Sequence, residues 1–158
     1  MAGLKVRTLS KSESKAFLRR VREELGFDAK GRNLKVLEDG WRLVVGENFE
    51  VLEIGGKLMP SLRDTRLLSL LPYVEVDRGA IPHVCNGANV MRPGITSMSD
   101  FEKGALVAVK DDRYKKFLAL GFSEVSSEEA KGMKKGVVVR NVHYVGDRVW
   151  KAYSEFSL

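Results

Sequence analysis

Between Val76 and Ile95 the chain reads Val-Asp-Arg-Gly-Ala-Ile-Pro-His-Val-Cys-Asn-Gly-Ala-Asn-Val-Met-Arg-Pro-Gly-Ile, and few backbone paths accept that order. Pro82 fits a helix only in its first turn, where its missing N–H is not needed. Gly87 falls where such a helix must stop, in a left-handed conformation that other residues resist. Arg92-Pro93-Gly94-Ile95 then predicts a type II turn, with Pro at its second position and Gly at its third. The segment therefore predicts a strand end, a short helix and a turn.

The flanking sequence supplies the rest of the frame. Ser10-Lys11-Ser12-Glu13 is a capping box, Phe17, Leu18, Val21 and Leu25 follow on one helical face, and Gly26 is placed to end the helix. Leu34–Leu37 and Trp41–Val45 flank Glu38-Asp39-Gly40, and Phe49–Ile54 and Lys57–Met59 flank Gly55-Gly56, which predicts two hairpins. Asp64 is placed to cap a short helix through Leu71, before Pro72. Residues 1–72 thus form a small α+β domain. Residues 73–158 form a second one, with strands expected at Tyr73–Val76, Ala105–Lys110, Lys116–Val125, Val137–Tyr144 and Arg148–Tyr153, the last two joined by a hairpin at Gly146-Asp147. Ser126 to Gly132 predicts one capped helical turn. Five or six short strands suit a small closed β-barrel. No flexible linker separates the halves, so the expected class is α+β, an N-terminal α+β domain packed on a C-terminal barrel.

The net charge of the 158 residues is +6, and all of it lies at one end. Up to Lys35 there are ten basic and four acidic residues, and beyond it 17 of each. Lys11, Lys15, Arg19 and Arg22 recur at spacings of four, four and three, a stripe roughly 80° wide beside the apolar face at about 100° per residue. Two readings of the stripe are open. It lies along a phosphate backbone, or it is a solvated face with Arg19–Glu23 and Arg20–Glu24 paired at i,i+4. No apolar run approaches the roughly 20 residues that span a bilayer, and a single cysteine excludes an internal disulfide. Both point to a cytoplasmic protein without a membrane partner.

The order Gly-Ala-Asn-Val-Met-Arg-Pro-Gly-Ile from Gly87 to Ile95 resembles the signature of the PUA domain, an RNA-binding module. Asp77-Arg78-Gly79-Ala80 and Val142-His143-Tyr144-Val145-Gly146-Asp147 extend the resemblance over Tyr73 to about Tyr153. With its preceding domain, the chain is similar to the malignant T-cell amplified sequence family of translation factors and its archaeal relatives. The resemblance implies a pseudo-β-barrel that binds structured RNA through the loop and helix after its first strand and through a face of its last strands. The matching positions are Arg78, Gly79, Ala80, His83, Gly87, Ala88, Tyr144, Arg148 and Lys151. Glycine permits close approach of a nucleotide, Arg and Lys contact phosphates, and an aromatic ring stacks a base. The implied partners are tRNA or rRNA, the small ribosomal subunit and a protein with an SUI1-type domain.

Each position also has a purely structural reading. Gly87 and Gly94 satisfy helix termination and turn geometry alone, and the ring of Tyr144 fits a core. His83 and His143, with one Cys, are too few for a zinc site, so both are expected to be structural, and Cys85 a buried small hydrophobe. Gly55-Gly56-Lys57 lacks the spacing of a phosphate-binding loop, there is no Gly-x-Ser-x-Gly elbow, and Asp111-Asp112 is expected in a solvated turn. The missing motifs argue against catalysis, metal or cofactor, and the family resemblance implies an RNA-binding protein of translation. The alternatives are an accessory subunit of an RNA-modifying enzyme and a protein–protein adaptor.

Overall fold

A computed structural model describes residues 3–156 and divides them into two compact units. One comprises the residues up to Asp64 together with those from Tyr153 onward, and the other runs from Thr65 to Ala152.

The first unit opens with a strand that the sequence did not announce, β1 (Lys5–Thr8), followed by α1 (Lys11–Leu25), β2 (Lys35–Glu38), β3 (Arg42–Val45), β4 (Glu50–Ile54) and β5 (Lys57–Pro60). The five strands pair in sequence order, every neighbour antiparallel. All four residues of β1 are exposed, so it carries no apolar alternation for a sequence reading to find. Arg7 ties it to Glu38 of β2 at 2.8 Å. Helix α1 starts and ends as its sequence requires. The Glu13 N–H donates to Ser10 Oγ at 3.1 Å, the Ser10 N–H donates to Glu13 Oε1 at 3.0 Å, and Gly26 closes the helix at φ 66°. Its Phe17, Leu18 and Val21 are buried, with Phe17 stacked on Phe49 at 6.4 Å between centroids. The end of the chain belongs to this unit for a physical reason. The buried Tyr153 hydroxyl accepts the Leu62 N–H at 3.1 Å, and the Arg63 guanidinium donates to the carbonyls of Tyr153, Ser154 and Phe156.

The second unit contains α2 (Thr65–Leu68), β6 (Tyr73–Val76), α3 (Ile81–Val84), β7 (Val90–Met91), a 3-10 turn at Arg92–Gly94, β8 (Ile95–Met98), β9 (Leu106–Asp111), β10 (Phe117–Ser123), α4 (Ser127–Lys131), β11 (Val137–Tyr144) and all but the last residue of α5 (Arg148–Tyr153). Its sheet runs β7-β11-β10-β9-β6-β8, antiparallel except for the parallel pair β6–β9. Val74, Val76, Val107, Val109, Val138 and Val139 form the centre of its core. The barrel expected to close does not close by a ladder. Strands β7 and β8 are the ends of the hydrogen-bonded order, and the turn at Arg92–Gly94 joins them.

Several local expectations are corrected. Arg148–Tyr153 is a helix, not a strand, and Gly146-Asp147 is no hairpin. Gly146, at φ 97°, turns the chain after β11 ends at Tyr144, and Asp147 then caps α5 by accepting the Trp150 N–H at 2.8 Å. Arg92–Gly94 is a 3-10 turn rather than type II, because Gly94 is not left-handed. The helix before Pro72 is also shorter than expected, since its regular part ends at Leu68.

Candidate nucleic-acid interface

The periodicity of α1 builds a charged cleft in the first unit. Lys11, Lys15, Arg19 and Arg22 form one wall and Gly31, Arg32 and Asn33 the other, around about 840 Å³. The loop is held to the helix by buried Ser14, whose Oγ accepts the Leu34 N–H at 3.1 Å. The expected Arg19–Glu23 pair does not form. Arg20 does pair with Glu24, at 3.0 Å, and also with Glu53, at 2.6 Å. Among the described residues, Lys11, Lys15, Arg19 and Arg32 are exposed and no carboxylate lies within 4.0 Å of their charged groups. Arg22 differs from them. Its guanidinium donates to the Ala29 carbonyl at 2.8 Å and lies 3.6 Å from Asp28. Four uncompensated cations around one concavity attract an anion and release counterions when they bind a polyanion. Arg32 was not foreseen, because it sits in a loop without periodicity.

The segment from Asp77 to Gly94 builds a second, less charged cleft of about 310 Å³, lined by Gly79, Ala80, His83, Met91, Pro93 and Gly94 among others. Asp77 fixes its entrance. The Asp77 N–H donates to the Gly94 carbonyl, and Asp77 Oδ1 accepts the Ala80 N–H, both at 2.9 Å. Helix α3 carries Pro82 in its first turn. The Ala88 N–H then returns to the His83 carbonyl at 2.9 Å and the Gly87 N–H to the Val84 carbonyl at 3.0 Å, a Schellman closure with Gly87 at φ 92°. Gly94 is required for a different reason. A Cβ on it would stand 2.8 Å from the Ala80 Cβ, so its lack of a side chain lets the turn approach α3.

Several anticipated residues have structural work here. A Cβ on Gly87 would meet the Tyr144 ring at 3.1 Å, and that half-buried ring also packs on the core. Arg92 donates to the Ala130 carbonyl at 2.6 Å and to that of Ile95 at 3.2 Å. Asn141, which the sequence did not single out, donates to the Val84 and Ala88 carbonyls and so pins α3 to β11. His143 is fully buried, with Nδ1 2.8 Å from Asp147 Oδ2. Cys85 is half-buried, and that burial raises its thiol pKa. Arg78, Gly79, His83, Gly87 and Ala88 are exposed. Arg148 and Lys151 are exposed on α5 and do not line the cleft, because the expected strand is a helix.

Asp111 overturns the expectation of a solvated acidic pair, since its residue is only 4% exposed. Desolvation acts to raise its carboxyl pKa, but backbone N–H donors from residues 113 to 116 outweigh it and hold the group below the usual carboxylate range. Among the described residues no three His, Cys, Asp or Glu side chains are grouped to hold a metal ion, and no helix is long and apolar enough to cross a membrane.

Residues 72–145 match the PUA domain family. The chain is similar to Translation machinery-associated protein 20 of Schizosaccharomyces pombe, at 36% identity over 116 residues, 70% of this chain and 64% of that protein. It is also similar to Malignant T-cell-amplified sequence 1 of Rattus norvegicus, at 32% identity over 119 residues, 66% of this chain and 65% of that one. In both cases it spans slightly less than two thirds of the relative. A solved structure, a conserved PUA domain protein from Thermoplasma acidophilum, is 30% identical, covers 94% of this chain and 99% of its own, and superposes with a TM-score of 0.73.

Proposed function

The chain belongs to the PUA-domain proteins, and on that premise we propose that it is a non-catalytic RNA-binding protein of the translation machinery. The observation that carries this reading is the cleft of four uncompensated cations, Lys11, Lys15, Arg19 and Arg32, in a chain that also holds a PUA domain. The name of one relative, a translation machinery-associated protein, favours translation as the setting. In this reading residues 1–72 and 73–158 act as the two functional domains. The RNA is tRNA at its acceptor end or rRNA of the small ribosomal subunit, an SUI1-type protein is a partner, and the site of action is the cytoplasm. The division of labour follows from the side chains. The cationic cleft gives attraction that falls with salt, while the glycine-walled cleft between Asp77 and Gly94 reads RNA shape, single-stranded ends and 2′-hydroxyls.

One observation favours a second reading. Among the described residues no Lys or Arg lines the second cleft, which suits a protein–protein adaptor. Titrating the chain with tRNA and with small-subunit rRNA fragments across a salt series separates the two. RNA binding that weakens steeply with salt supports the first reading, and no binding even at low salt overturns it.

A further inference from the structure

We infer that the tip of the β9–β10 hairpin, residues 111–116, is a separate RNA contact at which Tyr114 stacks an unpaired base between two phosphate-binding cations. Tyr114 is 68% exposed, and the Arg113 guanidinium lies over its ring at 5.1 Å from the centroid. Neither cleft includes this tip.

The tip is rigid. Asp111 Oδ1 accepts the N–H groups of Arg113 and Tyr114, and its Oδ2 accepts that of Lys116 at 3.1 Å. The Asp112 N–H donates to the Val76 carbonyl at 3.0 Å and anchors the turn to β6. Lys115 adopts φ 59°, a conformation costly for a residue with a side chain. Its ammonium donates to Glu75 at 2.9 Å, and Asp112 also acts on it electrostatically. Lys110 is likewise engaged, 3.8 Å from Glu75 and over the Tyr73 ring at 4.1 Å.

Glu75 is therefore occupied by Lys110 and Lys115 and Asp111 by the turn backbone, while Asp112 acts electrostatically on Lys115. Arg113 and Lys116 are exposed, and among the described residues no carboxylate lies within 4.0 Å of either charged group. An exposed ring on a hydrogen-bonded turn, with Arg113 over one face and exposed Lys116 two residues along, matches what single-stranded RNA needs, a π-face for a base and charges for the flanking phosphates. An acidic protein segment would meet the cations but has no requirement for the ring.

This inference rests on the RNA-binding reading above, and the test keeps the two apart. The full chain is titrated with a uridine-rich single-stranded oligoribonucleotide carrying one 5-iodouridine, and with a blunt duplex of equal length, by fluorescence anisotropy. Tyr114→Ala is expected to weaken single-strand binding about tenfold, within the range for loss of one stacked base. It should leave duplex binding and the melting temperature unchanged, and Tyr114→Phe should bind like the native chain. Ultraviolet irradiation should join the iodouridine to the peptide that contains Tyr114. Native-like binding by Tyr114→Ala, an equal loss on the duplex, or a crosslink elsewhere alone overturns this inference and leaves the broader reading standing. Failure of the native chain to bind the single strand while it binds tRNA overturns this inference alone, and failure to bind tRNA and small-subunit rRNA fragments as well overturns both.

Discussion

The cleft of the first unit is walled by Lys11, Lys15, Arg19 and Arg32, whereas that of the second is walled by Gly79, Ala80, Pro93 and Gly94. The first is written in helical periodicity and charge, so its shape tolerates change and its attraction does not. The second is written in backbone conformation, where α3 and the Arg92–Gly94 turn approach because Gly94 carries no side chain. The contrast predicts two different responses to mutation, one read in the salt dependence of binding and the other in affinity at constant salt dependence.

The largest effect is expected from reversing the charged wall. Lys11→Glu, Lys15→Glu, Arg19→Glu and Arg32→Glu combined should lower RNA affinity at least a hundredfold at low salt. They should also flatten the slope of log K against log salt by about 3, at roughly 0.7–0.9 for each phosphate no longer neutralised. All four residues are exposed, so the melting temperature should move little. Anisotropy titrations at several salt concentrations measure the slope, and an unchanged slope would remove the electrostatic role of the first cleft.

Gly94→Val tests the other wall. Its Cβ would be forced to within 2.8 Å of the Ala80 Cβ, an overpacking that costs about 1–3 kcal/mol and pushes the turn away from α3. The expected outcome is a lower melting temperature and about tenfold weaker RNA binding, with the salt slope of the native chain. A flattened slope would mean that the two clefts do not divide shape from charge.

How far the sequence spoke for each region follows from how local the determinants are. The capping box of α1, its buried face and the spacing of its cations all lie within one helix, and all were legible. So was the closure at Gly87, because a Schellman motif is local. Gly146-Asp147 was ambiguous, since the same pair can turn a hairpin or end a strand and cap a helix, and the Trp150 N–H decides between them. The turn at Gly94 is legible but its type and the reason for its glycine are not, because the neighbour that needs the space, Ala80, is close in space rather than in sequence. Arg32 and Tyr114 lie in irregular segments, and their importance comes from what the fold sets beside them.

The smallest expected effect is one of pH, and it distinguishes the units by what their walls stand on. Among the described residues, the first cleft is walled by exposed lysines and arginines that stand on no buried carboxylate. The end of β11 and the start of α5 in the second unit instead depend on Asp147. Burial acts to raise the Asp147 pKa, but His143 and the N–H groups of Trp150 and Tyr144 outweigh it and leave the carboxyl below its ordinary value. A carboxylate with a depressed folded-state pKa stabilises fully above its unfolded value of about 3.9. That contribution is lost as pH falls through the lower folded value. Asp147→Asn should cost about 1–2 kcal/mol at pH 7, since the amide still caps the helix but no longer accepts as an anion from His143. Urea unfolding at pH 7, 5 and 3 should show that gap constant at the two higher values and narrowing at the lowest. A gap that stays the same at pH 3 would show that the ionised form of Asp147 is not what holds this end of the second unit.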